Sequence, residues 1–395
     1  MQLRPHQREA LDAIASNTKG QIIVPTGGGK TMCMITDAVK RLENVEVPTT
    51  LVVVAPRILL AEQLSSEFME VLESKFDQIS MLHVHSGKFK NIFSTTQPSC
   101  ISAFTQVSVE RQIIFTTYHS LHKIQDSGIE VDTIYFDEAH NSVQSNFIEA
   151  VEYFSLYADR CYFFTATPKH SLTPMRVGMN ESDIFGEVIY KVPAPKLVEQ
   201  GYILPPKVKV YRSDILKKDE LTVDVDCTQI MDNIDDHNTK KILVCAKSTK
   251  QIKGLVGYER FMDELAWRGY SCMYITAKTG AYIDGEKVQR DEFFNVLSAW
   301  GKDENKKFVV LHHSILAEGI NVKGLEAVLF LRSMNYIGIS QTIGRVIRTG
   351  AKEKTYGLVC VPVYSNVGIS TARKVRTVVD LVFNQGEPAI SVVKR

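Results

Sequence analysis

The residues best suited to chemistry near the start of the chain form a glycine-rich loop. It follows the apolar run Ile22-Ile23-Val24, precedes an apolar helical pattern over residues 32–42, and consists of Pro25, Thr26, Gly27, Gly28, Gly29, Lys30 and Thr31. Glycines let the main chain turn tightly, so that its N–H groups converge on a phosphate at the positive end of the next helix. Lys30 has the reach to neutralise β- and γ-phosphates, and the Thr31 hydroxyl suits Mg²⁺. The pattern predicts a site for a nucleotide such as ATP. Val24 stands at its first glycine position, and the alternative is a glycine-rich turn with a chance Lys-Thr pair.

A pair of adjacent carboxylates follows a second apolar run. Asp137 and Glu138 come directly after Tyr135-Phe136 and are followed by Ala139 and His140. Asp137 suits a place in the water shell of Mg²⁺, and Glu138 can polarise a water for attack on a γ-phosphate. The alternative is a pair of exposed acids at the end of a strand.

Polar residues near the two ends of the chain could also contact a nucleotide. Gln341, Arg345 and Arg348 stand at i, i+4 and i+7, which predicts one face of one helix. The two arginines would reach a phosphate outside their own domain, unless they cap carbonyl groups or pair with acids. Near the start of the chain, the Gln7 amide can pair with an adenine edge through both its donor and its acceptor, although an exposed helix glutamine is the simpler interpretation.

A parallel sheet would bring the first-half groups together. Strand-like runs alternate with helical patterns such as 59–72, and they span residues 21–24, 51–55, 79–84, 113–117, 133–136 and 162–165. This alternation predicts a doubly wound α/β fold, in which ligands bind at the carboxyl ends of the strands. The segments just past strands, and therefore expected at one edge, are Pro25–Thr31, Pro56-Arg57, Thr116-Thr117, Asp137-Glu138 and Thr165-Ala166-Thr167.

The second half of the chain shows the same alternation of strand-like and helical patterns, after a proline-rich stretch. Prolines 193, 195, 205 and 206 indicate a linker over residues 191–207, between domains at 1–190 and 208–395. Strand-like runs then recur at 209–211, 242–245, 272–275, 308–312, 327–331 and 356–361. We expect an exposed, acidic helix and loop over 214–236 and a loop over 276–288. The five lysines of 240–253 indicate a solvated rim or a phosphate-contacting patch.

Composition bounds the class of protein. The 395 residues carry a net charge of +1 and seven cysteines, with no C-x-x-C pair among them. These features argue against a zinc ribbon and for reduced, buried thiols in a cytosol-like, cytoplasmic compartment. The first residues lack the apolar core of a signal peptide, and no apolar run approaches a membrane span, so we expect no membrane partner.

Taken together, these segments resemble the superfamily two helicases of the DEAH-box type, in the branch of restriction-enzyme helicase subunits and phage fork-processing helicases. The resembling segments occur in the family's order: Arg4-Pro5-His6-Gln7, Pro25–Thr31, Ala55-Pro56-Arg57, Thr116–His119, Asp137–His140, Thr165–Pro168, Gly201–Pro206, Ala317–Asn321 and Gln341–Arg348. They span nearly the whole chain, so the resemblance applies to both halves.

The resemblance implies two tandem RecA-like domains, each a doubly wound, mainly parallel sheet, with ATP and Mg²⁺ in the cleft between them. It assigns nucleotide contacts to Arg4, Gln7, Thr26, Gly27, Gly28, Gly29, Lys30, Thr31, Glu318, Gly319 and Asn321, with Thr31 and Asp137 on Mg²⁺. It assigns catalysis to Lys30, Asp137, Glu138, Gln341, Arg345 and Arg348, and coupling to motion to His140, Thr165 and Thr167. It assigns nucleic-acid contacts to Arg57, Thr116, Thr117, Ser248 and Thr276. Asn321 stands where many relatives have aspartate, which bears on nucleotide selectivity.

The implied activity is a nucleic-acid-dependent ATPase that translocates on, and unwinds or remodels, DNA. Branch resemblance alone favours DNA, so an RNA helicase remains an alternative. A second alternative is an ATP-dependent clamp or remodelling subunit that does not separate strands and acts with protein partners. Strand-displacement activity discriminates between these hypotheses.

Overall fold

The computed structural model describes residues 2–43, 48–87, 93–107, 110–212, 222–276, 279–313, 322, 324–349 and 354–393. The chain divides into two compact units. The first comprises Met1–Val192 with Ile390–Arg395, and the second comprises Pro193–Ala389. Both have the predicted α/β class, in which helices connect the strands of a mainly parallel sheet.

The first unit contains strands β1 (Lys19–Ile23), β2 (Thr49–Ala55), β3 (Ser80–Val84), β4 (Arg111–Thr117), β5 (Thr133–Phe136), β6 (Arg160–Thr165), β7 (Lys169–His170) and β8 (Val188–Lys191). Its helices are α1 (Pro5–Ser16), α2 (Lys30–Glu43), α3 (Ile58–Leu72), α4 (Pro98–Val107), α5 (Leu121–Ser127), α6 (Ile148–Tyr157) and α7 (Ser182–Phe185). Within the described residues, seven strands form one sheet in the order β3-β4-β2-β5-β6-β1-β8. All its pairings are parallel.

The register of this sheet aligns the carboxyl ends of its strands. Ile23 pairs with Thr165, Val54 with Phe136, and Ala55 with Thr117. Every residue of β2 is buried, as expected for a parallel strand covered by helices on both faces. The apolar runs of the sequence therefore build the centre of the sheet, and the polar residues that follow them meet at one edge.

The second unit contains strands β9 (Pro206–Arg212), β10 (Lys241–Cys245), β11 (Ser271–Thr276), β12 (Gly280–Ile283), β13 (Glu286–Val288), β14 (Phe308–His312), β15 (Ala327–Phe330) and β16 (Gly357–Val363). Its helices are α8 (Ala194–Glu199), α9 (Thr222–His237), α10 (Thr249–Val256), α11 (Glu259–Trp267), α12 (Arg290–Lys302), α13 (Tyr336–Val346) and α14 (Asn366–Val379). The described part of this unit has eight strands in one sheet, in the order β13-β12-β11-β14-β10-β15-β16-β9. A short strand β17 (Ser391–Val392) belongs to the first unit and pairs with β7.

Two local predictions for this unit are wrong. The loop expected at 276–288 contains the antiparallel hairpin β12–β13, whose two-residue turn is Asp284-Gly285 with φ angles of 48° and 88°. Asp-Gly is a strong signal for this type of turn. The region expected to be an exposed acidic helix and loop forms α9 over its described part, and this helix buries Cys227, Ile230 and Ile234 in the core.

The predicted linker at 191–207 contains regular structure. It includes α8 and the first residues of β9, which pairs in parallel with β16. No described helix of either unit is long and apolar enough to cross a membrane.

Candidate functional site

The glycine-rich loop connects β1 to α2 as the sequence predicts. Gly27 and Gly29 have φ angles of 87° and 86°, a left-handed conformation that only glycine adopts without strain. Lys30 is the first residue of α2 and is only 8% exposed. The Thr26 hydroxyl oxygen is buried and has no hydrogen-bond partner. The loop therefore holds an orphaned polar atom and a nearly buried ammonium group.

The carboxylate pair faces that ammonium group. Lys30 Nζ lies 3.7 Å from Glu138 Oε1. The main chain beside the pair is fixed, because the Asp137 N–H donates to the Val54 carbonyl oxygen at 2.9 Å and the buried Tyr118 hydroxyl donates to the Asp137 carbonyl oxygen at 2.9 Å. Glu138 has φ 46° and ψ 52°. A left-handed residue other than glycine stores strain of about 1–2 kcal/mol, which is typical of functional positions.

The electrostatics of the pair favour a bound cation. Burial of Asp137 and the negative charge of Glu138 raise the pKa of the Asp137 carboxyl above its usual range, whereas Lys30 acts in the opposite direction. Two adjacent carboxyl groups in a low-dielectric setting resist full ionisation until a positive charge compensates them. A divalent cation bound here would supply that charge.

ATP and Mg²⁺ fit these residues. The orphaned Thr26 hydroxyl and the Lys30 ammonium group suit phosphate oxygens, and Thr31 and Asp137 suit the cation. No group of three or more His, Cys, Asp or Glu side chains within the described ranges forms a candidate metal site. Mg²⁺ bound with a nucleotide keeps several waters and phosphate oxygens, so a few protein ligands are sufficient.

The predicted coupling residues lie together beside the acids. His140 Nδ1 is 3.2 Å from Thr165 Oγ1, 3.4 Å from Thr167 Oγ1 and 3.5 Å from Glu138 Oε2. The Thr167 N–H also donates to Thr165 Oγ1 at 3.0 Å. A continuous polar path therefore joins Glu138 to the end of β6.

Helix α1 contacts the glycine-rich loop from one side. Gln7 Nε2 donates to the Gly29 carbonyl oxygen at 3.2 Å, and Gln7 Oε1 accepts from the Arg4 N–H at 2.9 Å. His6 Nε2 lies 2.7 Å from the Gly28 carbonyl oxygen. The sequence-based assignment named Arg4 and Gln7 but missed His6, because helical periodicity does not reveal which carbonyl a buried histidine meets.

The predicted nucleic-acid contacts of this unit differ in exposure. Arg57 is exposed at the start of α3. Thr116 is buried and its hydroxyl donates to the Val84 carbonyl oxygen at 2.8 Å, while the buried Thr117 donates to Ser120 Oγ at 3.4 Å. The role of the two threonines stays a prediction, and Arg57 is the member of this group that presents a charge to solvent.

The second unit holds the remaining predicted residues. Ser248 caps α10 by accepting a hydrogen bond from the Gln251 N–H at 3.2 Å, and the buried Thr276 hydroxyl lies 2.6 Å from Thr279 Oγ1. Gln341 and Arg345 lie on α13 and are 8% and 5% exposed. Glu318, Gly319 and Asn321 lie outside the described residues.

Arg348 corrects the prediction of a single helical face. Helix α13 ends at Val346, and Arg348 forms an antiparallel bridge with Ile203. Just after the helix end, the Leu204 N–H donates to the Ile347 carbonyl oxygen at 2.7 Å, so a segment distant in the sequence pairs with this part of the chain. Half-buried Lys354 donates to the Arg348 carbonyl oxygen at 3.1 Å and to the Leu325 carbonyl oxygen at 2.6 Å, and its partial burial lowers its pKa to about 8. The main chain of Arg348 is therefore anchored from two sides.

Arg345 lies near the ends of two strands of its sheet. Burial lowers the pKa of His312 well below its ordinary value, and the positive charges of Arg345 and Arg332 lower it further. His312 Nε2 is 3.3 Å from Cys245 Sγ, at the last residues of β14 and β10. The positive charges of Arg345 and Arg332 therefore act on His312 at the last residue of β14.

Two protein-family models match the chain in the order of its units. The res subunit of type III restriction enzymes matches residues 1–170, and the helicase conserved C-terminal domain matches residues 226–350. The two matches together support a superfamily two helicase of the restriction-subunit branch. Among curated protein sequences, none matches this helicase.

Solved structures share the helicase fold. The ATP-dependent Type ISP restriction-modification enzyme LlaBIII bound to DNA has a TM-score of 0.75 and 19% identity, and the match covers 100% of this helicase and 31% of that chain. A fragment of a putative HsdR subunit of a type I restriction enzyme from Vibrio vulnificus YJ016 has a TM-score of 0.61 and 16% identity over 98% of this helicase and 67% of that chain. S. cerevisiae Dbp5 bound to RNA and ADP BeF3 has a TM-score of 0.61 and 16% identity over 98% and 89% of the two chains. These likenesses establish two RecA-like folds, and this helicase spans about a third of the length of LlaBIII.

Proposed function

We propose that this helicase is an ATP-driven translocase that acts on DNA. The observation that carries the proposal is the contact of Lys30 with the acidic pair where the strands of the first sheet end: Lys30 Nζ lies 3.7 Å from Glu138 Oε1, and Asp137 is the adjacent residue. A buried ammonium group next to two carboxyl groups provides for both phosphate binding and water activation. The orphaned Thr26 hydroxyl in the same loop supports a phosphate ligand.

Each residue of this cluster has a distinct part in hydrolysis. Thr31 and Asp137 would hold Mg²⁺, which would neutralise phosphate charge when bound. Lys30 exchanges its ion pair with Glu138 for contact with phosphate oxygens, which leaves the Glu138 carboxylate available to orient a water and accept its proton. His140 contacts Glu138, Thr165 and Thr167, so it responds when Glu138 loses its ion pair with Lys30. This path transmits the state of the nucleotide to the end of β6.

Turnover also requires the second unit. Arg345 and Arg348 supply positive charge to the phosphoryl-transfer transition state, a contribution of about 10³–10⁵ in rate for arginines in this role. The burial of the Arg345 side chain and the double anchoring of the Arg348 main chain support this role, because both residues are held in defined positions. Alternate engagement and release of these arginines during turnover would drive stepping along a strand.

DNA is the proposed track. LlaBIII and LlaGI, both restriction-modification enzymes, were solved with DNA or a DNA mimic, and the TM-score is higher for LlaBIII than for RNA-bound Dbp5. Arg57 at the carboxyl edge of the first sheet supplies a phosphate contact. With a net charge of +1, the contact with nucleic acid is local rather than global.

The test is the steady-state ATPase rate with single-stranded DNA, double-stranded DNA, branched DNA and RNA, each at the same stated salt concentrations. We expect a low basal rate that rises several-fold with DNA and less with RNA. A larger rise in the ATPase rate with RNA than with DNA would show that the protein acts on RNA rather than on DNA. If no polynucleotide changes the rate and none binds at low salt, the translocase proposal fails and a protein-remodelling ATPase takes its place.

A further inference from the structure

Two neighbouring side chains of α1 hold successive carbonyl groups of the glycine-rich loop. His6 Nε2 is 2.7 Å from the Gly28 carbonyl oxygen, and Gln7 Nε2 is 3.2 Å from the Gly29 carbonyl oxygen. His6 is fully buried and Gln7 is 4% exposed. Bonds this well shielded from water hold the loop in a defined orientation.

The hydrogen-bond partners fix the chemistry of both side chains. A carbonyl oxygen only accepts, so His6 must carry a proton on Nε2 in this contact. Gln7 Oε1 accepts from the Arg4 N–H at 2.9 Å, which leaves its NH₂ group to face Gly29. Both residues therefore act as donors toward the loop.

Because of peptide geometry, these contacts also set the direction in which the neighbouring N–H groups point. In a trans peptide unit the C=O and N–H bonds point in opposite directions. Holding the Gly28 carbonyl toward α1 turns the Gly29 N–H away from α1, and holding the Gly29 carbonyl does the same to the Lys30 N–H. The Met32 N–H also donates to the Gly29 carbonyl oxygen at 3.2 Å, which keeps this peptide aligned with the start of α2.

The close fit leaves the loop little freedom on this side. A Cβ atom built on Gly29 would lie 2.5 Å from Gln7 Nε2. The Gln7 side chain of α1 therefore packs directly on the main chain of the loop at Gly29.

We propose that His6 is a positioning residue for phosphate binding: its Nε2–H holds the Gly28 carbonyl so that the Gly29 N–H points to the nucleotide phosphates. The inference rests on the proposed ATP site and assigns His6 a role separate from adenine recognition. Preorganised amides bind an anion without the cost of reorienting the peptide.

Three substitutions of His6 distinguish the effect of its hydrogen-bond donor from the effect of its aromatic ring. His6→Phe keeps an aromatic ring without a donor, His6→Gln carries a donor with similar reach, and His6→Asn carries the same amide one methylene shorter. Binding of Mg²⁺ with a non-hydrolysable ATP analogue is measured by calorimetry, and the thermal midpoint of each protein is recorded. We expect roughly tenfold weaker binding for His6→Phe and His6→Asn, and binding within about threefold of wild type for His6→Gln.

The outcomes distinguish the inference from the proposed function. Unchanged affinity in His6→Phe, or equal losses in His6→Gln and His6→Asn at matched thermal midpoints, overturns the positioning role alone. If His6→Phe does not fold, the amide pair that differs by one methylene decides the question. A wild-type protein that binds no nucleotide overturns the ATP site and this inference with it.

Discussion

The ammonium group of Lys30 lies 3.7 Å from a carboxylate oxygen of Glu138, and both side chains are largely buried. The two residues come from the start of α2 and the end of β5, which the parallel sheet brings to the same edge. An ion pair in this position would hold the proposed phosphate-binding and water-activating groups together before a nucleotide binds. It also makes each residue sensitive to the loss of the other, because a buried charge without its partner is costly.

Lys30→Ala removes the charge of the glycine-rich loop. We expect ATP turnover to fall by at least about 100-fold, since the developing phosphate charge loses its nearest cation. The measurement is phosphate release with saturating DNA. Lys40→Ala, a substitution of an exposed lysine on the same helix, serves as the control and should hydrolyse ATP at the wild-type rate. Wild-type turnover by the Lys30 variant would remove the phosphate-loop assignment.

Glu138→Gln keeps the size of the side chain but removes its ability to accept a proton. We expect hydrolysis to fall about 10²–10⁴-fold with ATP binding retained, because general-base catalysis accounts for losses of that size. Single-turnover hydrolysis and equilibrium binding, measured on the same preparation, separate the two effects. Loss of binding together with turnover would instead indicate that Glu138 holds Lys30 in place and does no chemistry.

Arg345→Ala and Arg348→Ala test the requirement for the second unit. We expect each to lose most of the turnover, on the order of 10³-fold or about 4 kcal/mol, while ATP affinity stays near that of wild type. Arg373→Ala, which changes an exposed arginine of α14, is the matched control. Near-normal hydrolysis by both variants would show that the first unit completes the reaction without them.

Arg57→Ala tests the exposed charge at the carboxyl edge of the first sheet. We expect weaker DNA binding and a reduction of about one in the slope of log affinity against log salt, as expected for the loss of one phosphate contact. Fluorescence anisotropy with a labelled single strand at several salt concentrations provides the slope. An unchanged slope with unchanged affinity would remove Arg57 from the DNA-binding surface.

The residues at the carboxyl edge of the first sheet could be predicted from the sequence because the patterns that mark them are local. Apolar, β-branched runs such as Leu51–Ala55 mark buried strands, and polar residues directly after them must lie at the carboxyl edge of a parallel sheet. Lys30, Asp137 and Glu138 could therefore be grouped before their distances were known.

The second unit was harder to predict because distant contacts decide its details. Arg348 lies outside α13 and forms an antiparallel bridge with Ile203, a residue far away in the sequence that helical spacing cannot reveal. Helix α9 was expected to be exposed because its acids dominate the pattern, but its apolar residues pack in the core, where the Asp226 side chain accepts hydrogen bonds from Tyr364 and Gln251. The hairpin turn at Asp284-Gly285, by contrast, carried a local signal that a loop assignment overlooked.

The most direct test of the account is ATP-driven displacement of a triplex-forming oligonucleotide from double-stranded DNA, which reports movement along DNA without requiring strand separation. We predict displacement by the wild-type protein with ATP, none with a non-hydrolysable analogue, and none by Lys30→Ala or Arg345→Ala. DNA-stimulated ATP hydrolysis by the wild-type protein without any displacement would contradict translocation.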